Sequence, residues 1–489
     1  MVINWADMEV RIKKLFSAAL IWACLFGPAL ADLARQVESI VRQPAQSNVE
    51  FSIHIVKADS DEAVYSHNAH TTLIPASNMK IVTTAAALKY LGADYQYRTV
   101  VGLSGHTLVV IGGGDPLLGD KATDARYDKK PGWIFEDIAQ ALKQNNVETI
   151  KDIIIDSSVF DDQRVHPNWP TDQLNKWWAC EVSGLNYNDN CIEMTARTVG
   201  NKVVVAVEPT TDFIKITNRV VPVSRGKRGV GAYRQAGSPN QLLVKGRCKG
   251  QEGPFDVAIE RPAAFFGYLL AENLIKAGIK PQGQIVEKAV DDVGSIKILR
   301  EYTHSMADCL ARCNKNSLGL VAEAFLKTIA AKSRPAGKGG SWATGRMIVT
   351  DYLTELGIDK SEFYVDDASG LSRHNKLSAN AVTKVMLCLY HSPDWELFKA
   401  SLAVGGVDGT IRRYFREEKY KGKVLGKTGY ITGVKSLSGI CSAGGGDYMF
   451  SILANGANGR TRAVINDIAE AIIDYYETEG EDKAARGTR

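Results

Sequence analysis

Metal-binding and disulfide patterns are scarce in this sequence. Eight cysteines are spread over 489 residues with no C-x-x-C pair. That is too sparse for a disulfide scaffold and the wrong spacing for a zinc knuckle or a thioredoxin-like motif. The eight histidines are scattered, and H-E-x-x-H is missing, which removes the common zinc-hydrolase pattern. There is no G-x-S-x-G, the nucleophile elbow of α/β-hydrolases. Gly426-Lys427-Thr428 looks like the end of a phosphate-binding loop, but Lys421 stands where such a loop needs its first glycine. Gly112-Gly113-Gly114-Asp115 does not spell G-x-G-x-x-G and reads as a turn. No charge of one sign dominates: 59 basic and 55 acidic residues leave a net charge of +4. That overall balance gives no electrostatic case for a nucleic-acid partner. Past the N-terminus no apolar run is long enough to span a bilayer. What remains is globular in composition, 45% hydrophobic and 23% charged, at a length that predicts two or three domains.

The N-terminus carries Arg11, Lys13 and Lys14, then the apolar run Leu15 to Ala31 ending in Ala29-Leu30-Ala31. A basic region, a short apolar region and a small-x-small site read as a signal peptide over residues 1–31, cut after Ala31. A membrane anchor is the alternative; Pro28 and the shortness of the run speak against it. The expected product is an exported or periplasmic chain with no stable membrane span after cleavage. Export permits disulfides, and Cys180 with Cys191 is the best-placed pair. Cys309 and Cys313, four apart in a helical pattern, read as buried core thiols.

The rest divides into three segments. Residues 32–96 hold a helical pattern, a strand (VEFSIHIVKA) and a helix (NMKIVTTAAALKYL) closed by Gly92. Residues 97–297 are dominated by short β-patterned runs with one helical pattern near the end, PAAFFGYLLAENLIKAG. Residues 298–477 return to helices near 305–331, 341–356, 378–391 and 463–477, with strands at 423–430, 434–443 and 448–454. Residues 478–489 are charged and expected to be disordered. One α+β domain built from both ends of the chain, with a β-rich insertion between them, accounts for this order.

The chemistry that survives is a serine nucleophile with a lysine base. Ser77-Asn78-Met79-Lys80 opens a predicted helix, so the two side chains share one face. The helix start adds partial positive charge. Lys80 serves as a base only if burial or a cationic neighbour lowers its pKa. A second S-x-x-K, Ser224 to Lys227, lies between Pro222 and Gly229 without a helix. On its own Ser77 also reads as an ordinary N-cap. Lys427-Thr428-Gly429 sits on a late predicted strand, where a cation and a hydroxyl can meet a substrate carboxylate. Gly429 there leaves room for a substrate alongside the strand.

S-x-x-K together with K-T-G resembles the signature of penicillin-recognising serine enzymes. Six stretches are similar to the class C low-molecular-mass penicillin-binding proteins: IPASNMKIVTTAAAL, IGGGDPLL, NKNSLGLVAEAFLK, DASGLSRHNKLS, VGGVDGTIRRYF and GKTGYITGVKSLSG. These are serine-type D-alanyl-D-alanine carboxypeptidases and endopeptidases. The resemblance implies a transpeptidase/β-lactamase-like fold, an antiparallel sheet flanked by helices. It implies action on peptidoglycan peptides, covalent inhibition by β-lactams, and no cofactor or metal. Residue by residue, Ser77 would be the acylated nucleophile, Lys80 the general base and Ser317 the proton relay. Lys427, Thr428 and Gly429 would bind substrate, and the backbone N–H of Tyr430 would join that of Ser77 in an oxyanion hole. Asp367, Ser369 and Gly370 match a further motif that reads equally as a structural turn. The pattern breaks at Gly319, where the middle S-x-N motif has asparagine; Asn314 or Asn316 are candidate substitutes. That break keeps a catalytically impaired peptide-binding protein open as an alternative. A β-lactamase or esterase on the same fold is another.

Overall fold

The computed structural model describes residues 33–487 apart from 236, 334–338 and 445, with side chains described as far as 478. The expected signal peptide therefore lies outside the described residues.

A six-stranded, wholly antiparallel sheet carries the molecule. Its order is Ala403–Val404, Val424–Ile431, Val434–Ala443, Gly446–Asn455, Glu50–Lys57 and Glu62–His67. Two adjacent inner strands come from opposite ends of the chain, paired from Glu50 against Asn455 to Lys57 against Tyr448. Side chains alternate along a strand, and here both faces are covered. Phe450, Ile452 and Ala454 pack with the N-terminal helix 33–41 and the C-terminal helix Thr461–Gly487. Met449 and Leu453 pack toward a layer of helices on the other face. That layer contains Met79–Leu91, Met306–Asn314, Gly319–Lys332, Trp342–Glu355 and Ala379–Tyr390. Two-sided burial is clearest in the strand Gly446–Asn455, where Met449, Phe450, Ile452, Leu453 and Ala454 are all buried. The C-terminal helix continues to Gly487, through a stretch expected to be disordered. Lysine, glutamate and alanine there are good helix formers, and the charge that argues against a core does not oppose a helix extended from an anchored one.

The chain leaves and re-enters this unit through two adjacent strands, Gln96–Ser104 and Lys297–Ser305, with Gln96 opposite Ser305. Beyond them is a five-stranded mixed sheet in which Ile285–Glu287, Ile153–Asp156 and Thr107–Gly112 run parallel. The helices Trp133–Gln144 and Pro262–Lys276 pack on it. The first was absent from the strand-dominated reading of this segment. Its Ile134, Phe135, Ile138, Ala139 and Leu142 are nonetheless buried at helical spacing. Two three-stranded sheets complete the insertion and share its core.

Cys180 and Cys191 are free thiols, so the disulfide expected between them is not formed. Both are buried in the same apolar cluster, where burial pushes the thiol pKa up and the side chains pack as small hydrophobes. Cys309 and Cys313 are buried core thiols, as their helical spacing implied.

Candidate active site

Ser77 lies in a single 3-10 turn, Ala76–Asn78, that runs directly into the helix Met79–Leu91. Ala76 holds φ at +46°, a left-handed conformation costly for a residue with a Cβ and typical of functional turns. Lys80, one turn on, donates to Ser77 Oγ at 3.1 Å and to the Ser369 carbonyl at 2.8 Å. It is buried, and among the described residues no carboxylate lies within ion-pair distance of it. Burial lowers its pKa, opposed in part by the more distant charges of Glu323 and Asp367. A lysine so placed is poised to lose its proton.

Ser317 occupies the break between the helices Met306–Asn314 and Gly319–Lys332, a region that reads from sequence as helical. It too is left-handed, with φ at +63°. Lys427 reaches it from the strand Val424–Ile431, donating to Ser317 Oγ and to the Thr428 carbonyl, each at 2.8 Å. Lys427 is fully buried, and burial with Lys80 nearby holds its pKa well below the usual lysine range. The cation expected to face a carboxylate thus points inward at Ser317. Thr428 lines the cleft, its Oγ1 donating to Thr410 Oγ1 at 2.8 Å.

Gly429 packs against the Ser77 turn: a Cβ there would meet Ser436 Oγ at 2.1 Å and the Pro75 carbonyl at 2.7 Å. The glycine lets the strand pack against the Ser77 turn and does not line the cleft. Tyr430, the next residue, does line it.

Ser77, Lys80, Ser317, Gly319, Thr428 and Tyr430 share one cleft of about 670 Å³. Much of its opposite wall comes from the insertion: Pro170, Asp172, Gln173, Lys176, Trp177 and Trp178. No motif marked this segment. Also unmarked was Glu323, which accepts from Ser369 N–H at 2.8 Å, Ala368 N–H at 3.2 Å and Trp342 Nε1 at 2.7 Å. Burial pushes its pKa up to about 7, with Asp367 adding to the rise and the three donors opposing it. Asp367 accepts from Gly370, Ser372, Asn375 and Trp169, so it organises a turn. That turn delivers the Ser369 carbonyl to Lys80. Gly370 holds φ at +82°, and a Cβ there would meet the Ala76 carbonyl at 1.8 Å.

At Gly319 a Cβ would meet Trp178 O at 3.3 Å, Ser369 Cβ at 3.6 Å and Ser369 Oγ at 4.0 Å. The last of these, a buried hydroxyl, has no hydrogen-bond partner among the described residues. Asn314 is buried away from the cleft, donating to Ser401 Oγ at 2.9 Å and Thr84 Oγ1 at 3.4 Å; it is not a substitute. Asn316 lines the cleft.

Comparison with known proteins extends this picture over the whole molecule. The chain is 27% identical over 476 residues to a D-alanyl-D-alanine carboxypeptidase of Actinomadura sp. strain R39, covering 92% of this chain and 86% of that protein. It is 24% identical over 424 residues to D-alanyl-D-alanine carboxypeptidase DacB of Haemophilus influenzae, covering 83% and 84%. The crystal structure of penicillin-binding protein 4 (dacB) from H. influenzae superposes with a TM-score of 0.76 at 22% identity, covering 92% of this chain and 99% of that one. This likeness establishes the shared α+β fold. The model of the D-Ala-D-Ala carboxypeptidase 3 (S13) family matches residues 33–477. That span takes in both ends of the catalytic sheet and the insertion between them, and the chain belongs to this family of serine D-Ala-D-Ala carboxypeptidases.

Proposed function

We propose that Ser77 is the nucleophile and Lys80 its base in cleaving D-alanyl-D-alanine ends of peptidoglycan stem peptides. The observation that carries this is the buried Lys80 amine 3.1 Å from Ser77 Oγ with no carboxylate paired to it. Neutral Lys80 takes the hydroxyl proton as Ser77 Oγ attacks the carbonyl carbon of the penultimate D-alanine. The negative oxygen so formed is held by the backbone N–H groups of Ser77 and Tyr430, a type of arrangement worth a few kcal/mol. As the C–N bond breaks, Ser317 Oγ hands a proton to the departing D-alanine nitrogen and takes one back from protonated Lys80, which is neutral again; Lys427 Nζ, at 2.8 Å, orients the Ser317 hydroxyl. Thr428 Oγ1, in the cleft lining, meets the terminal carboxylate. Water then cleaves the acyl ester, with Lys80 again accepting a proton. The same steps on a D-alanyl cross-link constitute endopeptidase activity. No step calls on a metal or cofactor.

The H. influenzae relative has been crystallised with a β-lactam, and the same capture is expected at Ser77. The catalytic unit of this reading is formed by residues 32–96 and 298–477, with 97–297 as the insertion. Export through residues 1–31 fits a cell-wall substrate; its support is the basic start and the Ala-Leu-Ala end of that segment. Among the described residues no helix is long and apolar enough to cross a membrane.

Intact-mass measurement with a β-lactam is the test. The wild-type chain gains one covalent adduct and Ser77→Ala gains none. An adduct that persists in Ser77→Ala, or that maps to Ser224, overturns the assignment.

A further inference from the structure

The near-neutral net charge conceals an uneven distribution. Between Phe213 and Gln251 there are nine lysine and arginine residues and no aspartate or glutamate; the rest of the chain is net negative. This segment builds one small sheet of the insertion, in the order Gly229–Gln235, Ser238–Cys248, Lys215–Pro222. Its inner face is apolar: Val220, Ala232, Leu242 and Val244 are buried in the insertion core.

Its outer face is cationic. Lys245 and Arg247 alternate outward on the central strand, and Arg219 is the register partner of Lys245 on the next. Gly229 and Gly231 oppose Arg247 and Lys245 on the other side and place no charged group beside them. Lys245 Nζ lies 4.5 Å from the centre of the Tyr233 ring, a contact that positions a cation without cancelling its charge. The adjoining loop adds Arg225 and Lys227, both exposed. On this face acidic relief is confined to the margins, at Lys215–Asp212 and Arg228–Glu252; Arg234, largely buried, pairs with Glu181 and Glu260. Among the described residues Arg219, Lys245 and Arg247 have no ion-pair partner. Basic side chains on edge strands commonly guard against sheet-to-sheet pairing. Lys245 and Arg247 are on the central strand, which has no open edge to guard. Like charges on adjacent strands oppose folding, and an anion bound across them reverses that cost.

We infer that this outer face binds the peptidoglycan polymer through the free carboxylates of its stem peptides, at a site separate from the catalytic cleft. The inference rests on the peptidoglycan substrate proposed above. Charge complementarity selects the ligand class, and a carboxylate on each uncleaved stem peptide gives the polymer the matching repeat. The position suits tethering. The sheet is tied to the wall of the cleft: Asn175, next to Lys176 of that wall, donates through Nδ2 to the Ala232 carbonyl of the edge strand Gly229–Gln235. A strand held on the outer face raises the local concentration of its own stem peptides at Ser77.

The test is sedimentation of the full chain with purified cell-wall sacculi, first stripped of phosphate-containing polymers with hydrofluoric acid. Wild type is expected to bind. Binding should weaken steeply as salt passes about 0.15 M, where the Debye length falls to about 8 Å. The Lys245→Glu/Arg247→Glu double variant should lose binding by about tenfold, roughly 1.4 kcal/mol, and Lys245→Arg/Arg247→Lys should retain it. Carbodiimide amidation of the sacculus carboxylates should abolish binding. D-Alanine release from a soluble pentapeptide should be equal in wild type and the charge-reversed variant, which checks folding, while release from sacculi falls in the variant. Equal binding by that variant, equal binding to amidated sacculi, or loss of binding on acid stripping overturns the inference. A wild-type chain inactive on the soluble pentapeptide would instead sink the substrate reading, whatever the sacculi bind.

Discussion

Lys80 concentrates the chemistry of the cleft in one proton. Its amine is useful only when neutral, and burial moves it in that direction. Acylation should therefore increase as pH rises through the Lys80 pKa and level off above it. The midpoint should fall below about 10.4, the value of a free lysine. A pH–rate profile of β-lactam acylation measures it; a midpoint at or above the free value removes Lys80 as the base. At Gly319 the middle motif lacks its asparagine. The glycine backbone is not left-handed, and the nearest obstacle to a Cβ is Trp178 O at 3.3 Å, so asparagine fits with a small adjustment. An asparagine amide there could engage both substrate and the unpartnered Ser369 hydroxyl. Gly319→Asn is expected to acylate about tenfold faster, the effect of about 1.4 kcal/mol in the barrier. Stopped-flow acylation decides it, and a slower variant would mean that Asn316 or Ser369 already fills the role.

At the scale of elements, the site is a meeting of three turns with one strand. The Ser77 turn, the Ser317 break and the 366–370 turn are each held by local backbone conformation or by a side chain behind the cleft. Ala76 and Ser317 hold left-handed backbone, and Glu323 gathers the N–H groups of Ala368 and Ser369. The strand Val424–Ile431 closes on the Ser77 turn through Gly429. Gly429→Ala would force a Cβ to within 2.1 Å of Ser436 Oγ and 2.7 Å of the Pro75 carbonyl. Overpacking of this kind costs about 1–3 kcal/mol. Because the displaced group is the nucleophile turn, acylation is expected to fall by more than the stability loss alone implies. Denaturant unfolding and acylation rate measured on the same variant separate the two effects. A normal rate would show that the strand and the turn can part without consequence.

For the whole molecule, the cleft depends on parts of the chain far apart in sequence. The catalytic sheet joins Glu50–Lys57 to Gly446–Asn455, and the insertion supplies the wall from Pro170 to Trp178. Ser77, Lys80 and the Lys427–Tyr430 strand were legible from sequence because each motif is local: a helix turn brings serine and lysine together, and a strand alternates its side chains. The α+β class and the insertion were legible from hydrophobic periodicity. Other features needed distant segments to meet. Nothing near Trp178 announces that it stands beside Gly319, and nothing near Ser369 announces that its carbonyl holds Lys80. The roles of Lys427, turned inward to Ser317, and of Gly429, packed on Pro75, were decided by which neighbour each strand face met. The thiols of Cys180 and Cys191 were settled likewise by burial in a shared core. Local covalent order determined which groups could react, because helix and strand geometry act over a few residues. Only the tertiary fold decided what those groups touch, because burial, and with it the pKa of Lys80, comes from residues hundreds of positions away.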